Sequence, residues 1–377
     1  MINFISRYLR VIPSDFMVRK GFLSIFILII SSPCLALVNN FAIINYPEIS
    51  STTQLSIDIT NNSDFSNQGW GGDGSASNPY ILENQQISTN SSCLSISNTT
   101  SYFIIRNCEF ESYWYEDSGI GYPAVRLANV TNGVIIDCDI ESSASDIYLV
   151  HCSNVNITRN SLTSQHTQGF NAYDIRDCIV SENNILESGI EISNGYFLTL
   201  SDNQITDSKS SGVHLYNISS SYLIANSIHS SATDGIVLDE TYYTEVSQNK
   251  ITDNDRNGIR ALAFNTKFIN NSLTNNREYG IDLEGSSNVL YDNLFLNNVV
   301  ANARDRGIDN RWDDAIGLGN YWDDYFGGGS YSIDGSSRNE DRYPQSYPGL
   351  LSPLQSTILL VGVAIIIVCL FLARRKR

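Results

Sequence analysis

The sequence is short of positive charge. It has 23 lysines and arginines against 40 aspartates and glutamates, which gives a formal net charge of −17 at pH 7. Residues 1–38 carry a net charge of +3 and residues 374–377 carry +4, so the stretch between them carries −24. An electrostatic field of that sign repels densely charged polyanions. We therefore expect no nucleic-acid partner.

Cysteine is too sparse for a fold built on disulfides. Of the seven cysteines, Cys34 and Cys369 lie in apolar terminal runs, which leaves an odd number between them. The intervening chain is also long enough to bury a large core without cross-links. Cys108 and Cys138 occupy equivalent positions of the repeat described below, so we expect them to be stacked about 5 Å apart, within disulfide range. A free pair of thiols filling the same corner is the alternative.

Helical periodicity is missing from the middle of the chain, and long apolar runs occur only near its ends. The run Gly21–Val38 follows Arg19 and Lys20. A basic segment, an apolar segment and small residues in that order are typical of a secretory signal. We predict a signal peptide over residues 1–38, with Met17 as an alternative start. An uncleaved N-terminal anchor is the competing interpretation.

The second apolar run predicts a membrane anchor. Residues 354–373 carry no charge and are followed by four cations at residues 374–377. About 20 apolar residues suffice for a helix to cross the hydrocarbon core. The positive-inside rule places the basic tail in the cytoplasm. The expected arrangement is a single-pass protein of the cell membrane with an extracellular ectodomain.

Glycosylation sequons fit an extracellular location. Seven N-x-[ST] sequences occur, although several are expected by chance in a chain so rich in asparagine and serine. The candidate acceptors are Asn61, Asn90, Asn98, Asn129, Asn156, Asn217 and Asn270.

A repeat of 20 to 23 residues is the strongest internal pattern. An asparagine recurs before an aliphatic residue or Phe, and a glycine opens an alternating Gly-Ile-x-Leu segment in phase with it. The asparagines are Asn160, Asn183, Asn203, Asn226, Asn249, Asn271 and Asn293, and the glycines are Gly169, Gly189, Gly212, Gly235, Gly258 and Gly280. Alternation with a period of two predicts strands. A leucine-rich repeat is the competing architecture, but its L-x-x-L-x-L frame is missing.

Stacked coils explain this repeat best. A coil of this length cannot bury its apolar face alone, whereas stacking produces a continuous core and pairs every backbone with its neighbours. We therefore predict an all-β, single-stranded, right-handed parallel β-helix of about ten coils, followed by the transmembrane helix. The asparagines should form a ladder along one corner, and the glycines should occupy corners with positive φ.

The flanking segments are expected to cover the open ends of the rod, because uncovered strand edges aggregate. We assign residues 39–73 to an N-terminal cap, 74–296 to the repeats and 297–325 to a C-terminal cap. Trp312, Tyr321 and Trp322 should form the core of that second cap. Residues 326–353, rich in Gly, Ser and Pro, are expected to be a stalk.

Two segments resemble the entry and exit of NosD-like proteins. They are WGGDGSASNPYILEN at Trp70–Asn84 and NNVVANARDRGIDNRWDDAIGLGNYWDDY at Asn297–Tyr325, and the similarity extends over about residues 69–345. The resemblance implies a β-helix of the carbohydrate-binding and sugar-hydrolase type, as in surface-anchored, often archaeal relatives without an assigned activity. It also implies a link to copper delivery, as in the periplasmic relatives that give the family its name.

Metal chemistry is not favoured by the residues. Soft copper sites need clustered Met, Cys or His, yet the predicted ectodomain has no Met and its four histidines are scattered. His151 and Cys152 are adjacent and should point to opposite faces of a strand. The acidic loop that usually follows the family's exit motif is reduced to Asp334, Gly335, Glu340 and Asp341. We expect no cofactor, with calcium as the alternative at that loop.

Catalysis is also not favoured, although it stays open. The strings N-T-D and G-H-G of polygalacturonases and D-P-H of epimerases do not occur. One outward column of the repeat strands alternates in chemical type and could carry chemistry, but stacking pairs such as Arg260 with Asp282 explain it equally well. The column runs through Glu191, His214, Val237, Arg260 and Asp282.

Binding has the stronger support. The coil between Cys108 and Cys138 is about eight residues longer than the others, and inserted loops on a rigid scaffold commonly carry function. Aromatic rings there could stack on sugars while carboxylates bond to hydroxyl groups. Packing of Trp114 against the rod is the alternative. The candidate ligand-binding residues are Tyr113, Trp114, Tyr115, Glu116 and Asp117.

We therefore expect a surface protein that binds an extracellular glycan or cell-surface component, in adhesion or surface structure, without catalysis. The alternative is a carbohydrate-active enzyme, either a polysaccharide lyase or a glycoside hydrolase. A copper-related accessory protein is the third hypothesis.

Overall fold

A computed structural model describes residues 56–113, 121–164 and 168–347 of the chain. These residues form a parallel β-helix of right-handed type with about 11 turns, as the repeat predicted. Each full coil contributes one strand to each of three faces, which we call A, B and C. Faces A and B bend into one another within a 20-stranded sheet, and face C is a separate 12-stranded sheet.

The strands follow one another around the rod in the order A, B, C. Face A consists of Ile57–Ile59, Leu94–Thr99, Val125–Ile136 (which continues onto face B), Ile147–Val150, Gln168–Arg176, Gly189–Tyr196, Val213–Ser219, Ile236–Tyr242, Ile259–Phe264, Tyr279–Ser286 and Ala301–Asp305. Face B consists of Tyr80–Glu83, Phe103–Arg106, Ser153–Thr158, Ile179–Ser181, Thr199–Ser201, Tyr222–Ile224, Glu245–Ser247, Lys267–Ile269 and Val289–Tyr291. Face C consists of Gln86–Thr89, Glu109–Ser112, Asp139–Ser142, Ser161–Ser164, Asn184–Leu186, Gln204–Thr206, Ser227–His229, Lys250–Thr252, Ser272–Thr274, Leu294–Leu296, Tyr321–Trp322 and Gln345–Ser346.

Inward side chains stack coil upon coil to form the core. On face C, Ile205 is in register with Ile228 and Ile228 with Ile251, and all three are fully buried. On face A, Leu215 is in register with Leu238. Because a one-residue slip would turn every one of these side chains outward, the alternating pattern fixes the register of the coils.

The predicted asparagine ladder is present. Nδ2 of Asn226 donates to Oδ1 of Asn249 at 2.9 Å, and Nδ2 of Asn249 donates to Oδ1 of Asn271 at 2.9 Å. The backbone N–H of Asn226 donates to the same Asn249 oxygen, also at 2.9 Å. The oxygen of each buried amide thus accepts hydrogen bonds from the asparagine of the coil before it. The ladder runs through Asn160, Asn183, Asn203, Asn226, Asn249, Asn271, Asn293 and Asn320.

The recurring glycines do not provide left-handed corners, so that expectation was wrong. None of them has a positive φ; instead, a Cβ on Gly235 would lie 2.7 Å from the carbonyl oxygen of Gly258. Glycine is required there because neighbouring coils approach too closely for a side chain. The left-handed corners are held by other residues, such as Asn217 with φ 53° and Asp253 with φ 59°. Asn and Asp tolerate this conformation because their short side chains bond locally.

A short helix and an aromatic cluster cover the first coil. The helix Asn62–Asn67 is capped at its N-terminus by Asn61, whose side chain accepts from the backbone N–H of Ser63. Its buried residue is Phe65, which stacks on Tyr80 with the ring centroids 4.8 Å apart. Residues 56–73 thus lie over the first coil, and residues 39–55 of the expected N-terminal cap lie outside the described residues.

The C-terminal cap is longer than expected. Trp312 and Trp322 are fully buried, as predicted, and Trp322 lies between Phe295 and Tyr331 with centroid distances of 4.5 and 4.0 Å. Tyr331 belongs to the expected stalk. Residues 326–347 of that segment instead fold onto the cap, with an antiparallel pair Tyr331–Ser332 and Glu340–Asp341.

The predicted terminal segments lie outside the described residues. They are the signal peptide over residues 1–38, the anchor over residues 354–373 and the basic tail. Among the residues that the structure describes, no helix is long and apolar enough to cross a membrane.

Candidate functional site

The inserted loop is attached to the rod through two buried serines of face C. Tyr113, at its start, is 41% exposed, whereas Trp114, Tyr115, Glu116 and Asp117 lie outside the described residues. On the returning limb, the carbonyl oxygen of Tyr122 accepts from the hydroxyl groups of Ser112 and Ser142, both at 3.0 Å. These two bonds fix the backbone of Tyr122, and its ring is exposed beside face A.

A groove of about 420 Å³ lies where this limb meets face A. Its floor is formed by Arg126, Tyr148 and Asn171, which are paired in register on three successive strands and point outward. Successive coils are about 4.8 Å apart, so the three side chains form a continuous row. The lining consists of Ser92, Gly121, Tyr122, Pro123, Arg126, Ala144, Ser145, Tyr148 and Asn171.

The groove differs from the rest of the rod in its charge. Among the described residues that line it, none is an aspartate or glutamate, and Arg126 is the one that carries a charge. Arg126 is half-buried and makes no ion pair within the described part of the chain. The groove therefore offers a cation, a carboxamide and phenol rings to a ligand, in a protein that is otherwise strongly acidic.

Further along the same outward column, the charged groups neutralise one another. Arg260 donates to Asp239 at 3.1 Å, and His214 lies 3.2 Å from the same carboxylate. Arg304 and Arg306 both donate to Asp282, at 2.6 and 2.9 Å. The expected Arg260–Asp282 pair is absent, because Arg260 pairs with Asp239 and Asp282 pairs with Arg304 and Arg306. These ion pairs account for the charged residues of the column without a catalytic role.

Val237 is the member of that column whose environment the sequence did not predict. It was expected to be an exposed strand residue, but it is only 2% exposed. It stands in register between His214 and Arg260, the two residues that reach Asp239. Their long side chains cover it.

Exposed aromatic rings gather on the corner between faces A and B. Tyr243 is 66% exposed, and the rings of Tyr242 and Phe264 stack with their centroids 5.1 Å apart. Because the coils stack in register, these rings form a strip over four successive coils. We call it the aromatic corner; its members are Tyr196, Phe197, Tyr222, Tyr242, Tyr243 and Phe264.

Copper, the metal that the resemblance implies, does not fit the described residues. His151 is exposed and its Nδ1 lies 2.7 Å from Asp174, whereas the neighbouring Cys152 is buried and donates to backbone carbonyls. The two side chains therefore point to opposite faces, and burial raises the pKa of the Cys152 thiol. Within residues 56–113, 121–164 and 168–347, no three His, Cys, Asp or Glu side chains come together as a metal site.

The acidic residues considered for calcium serve other purposes. Asp341 points into the C-terminal cap, where it accepts from the backbone N–H of Asn320 at 2.7 Å. Glu340 accepts from the hydroxyl group of Ser330 at 2.6 Å. These two neighbours face different directions, because adjacent strand residues alternate.

Cys108 and Cys138 lie one above the other, as expected from the repeat. The strands that follow them pair Glu109 with Asp139, and both thiols are buried and free in the structure. The neighbouring Cys108 sulfur, together with burial, raises the pKa of the Cys138 thiol. The disulfide stays a prediction, which mass spectrometry of unreduced, alkylated protein would test.

The glycosylation candidates are all accessible. Asn156 is half-buried and the other six acceptors are exposed. Asn98, Asn129 and Asn217 sit on left-handed corners, with φ between 53° and 54°. Modification at these positions stays a prediction.

Asp146 is a buried acid that the sequence did not reveal. Its side chain is fully buried, and neither carboxylate oxygen has a hydrogen-bond partner. Burial raises the pKa of Asp146 well above its usual range. It precedes the face A strand Ile147–Val150 at the position where later coils have Gly169 and Gly189, and the repeat pattern gave no sign of this substitution.

Comparison with known proteins places this geometry in a family. Residues 112–327, more than half of the chain, match the family model described as "Periplasmic copper-binding protein (NosD)". No curated protein matches the chain. The matched segment includes the whole ladder and every described residue of the groove except Ser92.

Several solved structures share the β-helix architecture at low identity. The periplasmic alginate epimerase AlgG is 16% identical, with 77% of this chain and 82% of that chain covered and a TM-score of 0.43. The Dettilon tailspike protein is 11% identical, with coverages of 71% and 62% and a TM-score of 0.49. The DFA-IIIase of Arthrobacter chlorophenolicus is 13% identical, with coverages of 72% and 87% and a TM-score of 0.47. No functional conclusion rests on likenesses this distant.

Proposed function

The chain belongs to the NosD family, and from that premise we propose that it is a carbohydrate-binding β-helix that acts without catalysis. The observation that carries the proposal is the groove on face A. It combines the rings of Tyr122 and Tyr148 with the polar side chains of Arg126 and Asn171 on a rigid sheet. Sugars are bound by this combination, because aromatic faces stack on the apolar side of the ring while polar groups bond to the hydroxyl groups.

The rigidity of the site supports binding. Tyr148 and Asn171 are held by backbone pairing on both sides, and Tyr122 is fixed by two serine hydroxyl groups. A preorganised surface loses little entropy when it binds a ligand. The aromatic corner offers further rings to an extended polymer, over coils beyond the groove.

Hydrolysis is less well supported than binding. A glycoside hydrolase needs two carboxyl groups facing each other across the scissile bond, and none of the described residues that line the groove carries one. On the same face, Asp239 and Asp282 are engaged by arginines. A polysaccharide lyase is the second candidate. Lyases pair a cation with a basic Arg or Lys, and Arg126 lies in the groove, in register with Tyr148 on the next strand.

We also propose that the β-helix is displayed outside the cell as a single-pass membrane protein. The support is the charge pattern of the sequence, with an uncharged run at residues 354–373 before four cations. Protease added to intact cells should cleave within the repeat region and leave a membrane-protected fragment. Full protection of the repeats would contradict the proposed location.

A glycan-array screen of the full chain tests the binding proposal. We expect at least one glycan to be retained, and Tyr148→Ala to reduce retention about 2- to 10-fold, since stacking of one ring contributes about 0.5–1.5 kcal/mol. Tyr343→Ala is the matched control, because Tyr343 is an exposed tyrosine in the C-terminal cap. Retention of no glycan, or equal losses in both variants, would contradict the proposal. Release of unsaturated sugar products would favour the lyase.

A further inference from the structure

Arg126 differs from the other arginines of its outward column because it has no acidic partner among the described residues. In the outward column of face A, Arg260 and Arg304 each bind a carboxylate, at 3.1 and 2.6 Å. Away from this column, Arg159 is bonded to Asp137 at 2.8 Å. Arg126 belongs to the same column, between Ser95 and Tyr148, and makes no such pair among the described residues.

Partial burial makes the missing partner significant. The side chain of Arg126 is half-buried and lines the groove. A guanidinium group taken partly out of water has lost some of its hydration, and a carboxylate or another charge-assisted acceptor restores that loss most effectively. The next two residues of the column, Tyr148 and Asn171, carry no carboxylate. The described lining of the groove therefore supplies no anion.

We propose that the groove recognises an anionic saccharide, and that the carboxylate of a uronic acid residue binds Arg126. This inference rests on the proposed function, because it names the class of sugar that the same site takes. The planar fork of the guanidinium group matches a carboxylate with two parallel hydrogen bonds. Asn171 then bonds to hydroxyl groups, and Tyr148 stacks on the ring that lies between them.

The acidity of the remaining surface limits the charge density of the ligand. The chain carries a net charge of −17, and Glu191, which follows Asn171 in the column, is bonded to Gln168. A polyanion that extends beyond the groove meets repulsion from this field. The ligand that fits is consequently a mostly neutral glycan in which uronic acid residues are sparse.

Calorimetric titration of the full chain with three probes tests this inference. The probes are a neutral hexasaccharide, the same hexasaccharide with one glucuronate, and a sulfated analogue with one sulfate ester. We expect the glucuronate probe to bind at least about 10-fold more tightly than the neutral one, since a hydrogen bond between charged groups is stronger than a neutral one. The glucuronate probe, with its planar carboxylate, should also bind more tightly than the sulfated probe.

Two arginine variants separate recognition by Arg126 from general electrostatics. Arg126→Gln should abolish the preference for glucuronate, measured as the ratio of the dissociation constants of the neutral and glucuronate hexasaccharides. Arg159→Gln removes the same charge from an ion pair outside the groove, so the preference should persist. These variants have the same change in net charge.

The outcomes distinguish failure of this inference from failure of the proposed function. Equal binding of neutral and charged probes, a preference that survives Arg126→Gln, or stronger binding of the sulfated probe would overturn the assignment of a uronate while leaving glycan binding intact. If neither these probes nor any glycan of the array binds, the proposed function itself fails.

Discussion

The indole N–H of Trp322 donates to the carboxylate of Asp341 at 3.0 Å, at the point where the asparagine ladder ends. The same carboxylate accepts from the backbone N–H of Asn320, the last asparagine of the ladder, at 2.7 Å, and from the backbone N–H of Tyr343 at 2.9 Å. A ladder of amides always leaves donors unpaired at its last rung. A buried carboxylate, which accepts several bonds and donates none, completes it.

The terminal carboxylate leads to a first prediction about stability. Asp341→Ala should leave two buried donors, the backbone N–H of Asn320 and the indole N–H of Trp322, without acceptors, at about 1–3 kcal/mol for each, and should lower the melting temperature strongly. The neighbouring Glu340 is the control, because its exposed side chain has one bond to Ser330. Glu340→Ala should change the melting temperature little. Comparable losses in both variants would show that Asp341 does not terminate the ladder.

The middle of the ladder gives a second prediction. Asn249→Ala removes the acceptor of two donors of Asn226, so we expect a loss of about 1–3 kcal/mol for each donor left unpaired. Asn156→Ala, in protein made without glycosylation, is the matched control because Asn156 points outward from face B. Chemical denaturation of both variants measures the difference. If Asn156→Ala destabilises the protein as much as Asn249→Ala, the assigned register is wrong.

The close approach of adjacent coils is tested by a pair of glycine variants. In Gly235→Ala, the new methyl group would lie 2.7 Å from the carbonyl oxygen of Gly258, and such overpacking costs about 1–3 kcal/mol. A methyl group on Gly71 meets nothing within 4 Å, and Gly71 has no positive φ. We therefore expect Gly71→Ala to be nearly neutral in thermal melts. An equally mild effect at Gly235 would contradict the steric explanation.

Asp146 leads to a prediction about pH. Burial raises its folded-state pKa well above the usual value, so the folded protein retains a proton that the unfolded chain releases near pH 4. Stability from this group is complete at pH values below the unfolded pKa and is lost as the pH rises toward the folded pKa. Asp146→Asn should consequently be more stable than the wild type at pH 8 and nearly equal to it at pH 4.

Thermal melts at the two pH values measure this difference, and each unit of pKa shift corresponds to about 1.4 kcal/mol. Asp253→Asn is the control, because Asp253 is exposed and lies several coils away from Asp146. It should show the same pH dependence as the wild type. A gap between Asp146→Asn and the wild type that is independent of pH would mean that Asp146 is not protonated in the folded protein.

Local chemistry that repeats along the chain was predictable. Asn226 and Asn249 lie at equivalent corners because a period of 20 to 23 residues and alternating apolar positions specify both the coil and its inward face. The buried tryptophans of the C-terminal cap were also predictable, since Trp312 and Trp322 follow the point where the repeat stops. Repetition makes such assignments reliable because each coil tests the register of the others.

Positions at which one coil acts on another were less predictable. Gly235 was assigned to a corner with positive φ, but its role depends on the distance to Gly258 in the next coil. Tyr331 was assigned to a stalk, but its ring stacks on Trp322. The Gly, Ser and Pro content of residues 326–353 is typical of an extended stalk, and composition could not reveal that one aromatic ring packs on the cap.

The sequence by itself determined the coil, the register, the ladder and the inserted loop, because these follow from spacing along the chain. Only the tertiary structure brought Tyr122 beside Arg126, Tyr148 and Asn171 and, within the part of the chain that it describes, left Arg126 without a carboxylate while Arg260 received one. These relationships join residues that are separated by one or more coils and that belong to no repeated pattern. The groove exists because stacking places an irregular loop against a regular face, and that contact has no signature in either segment alone.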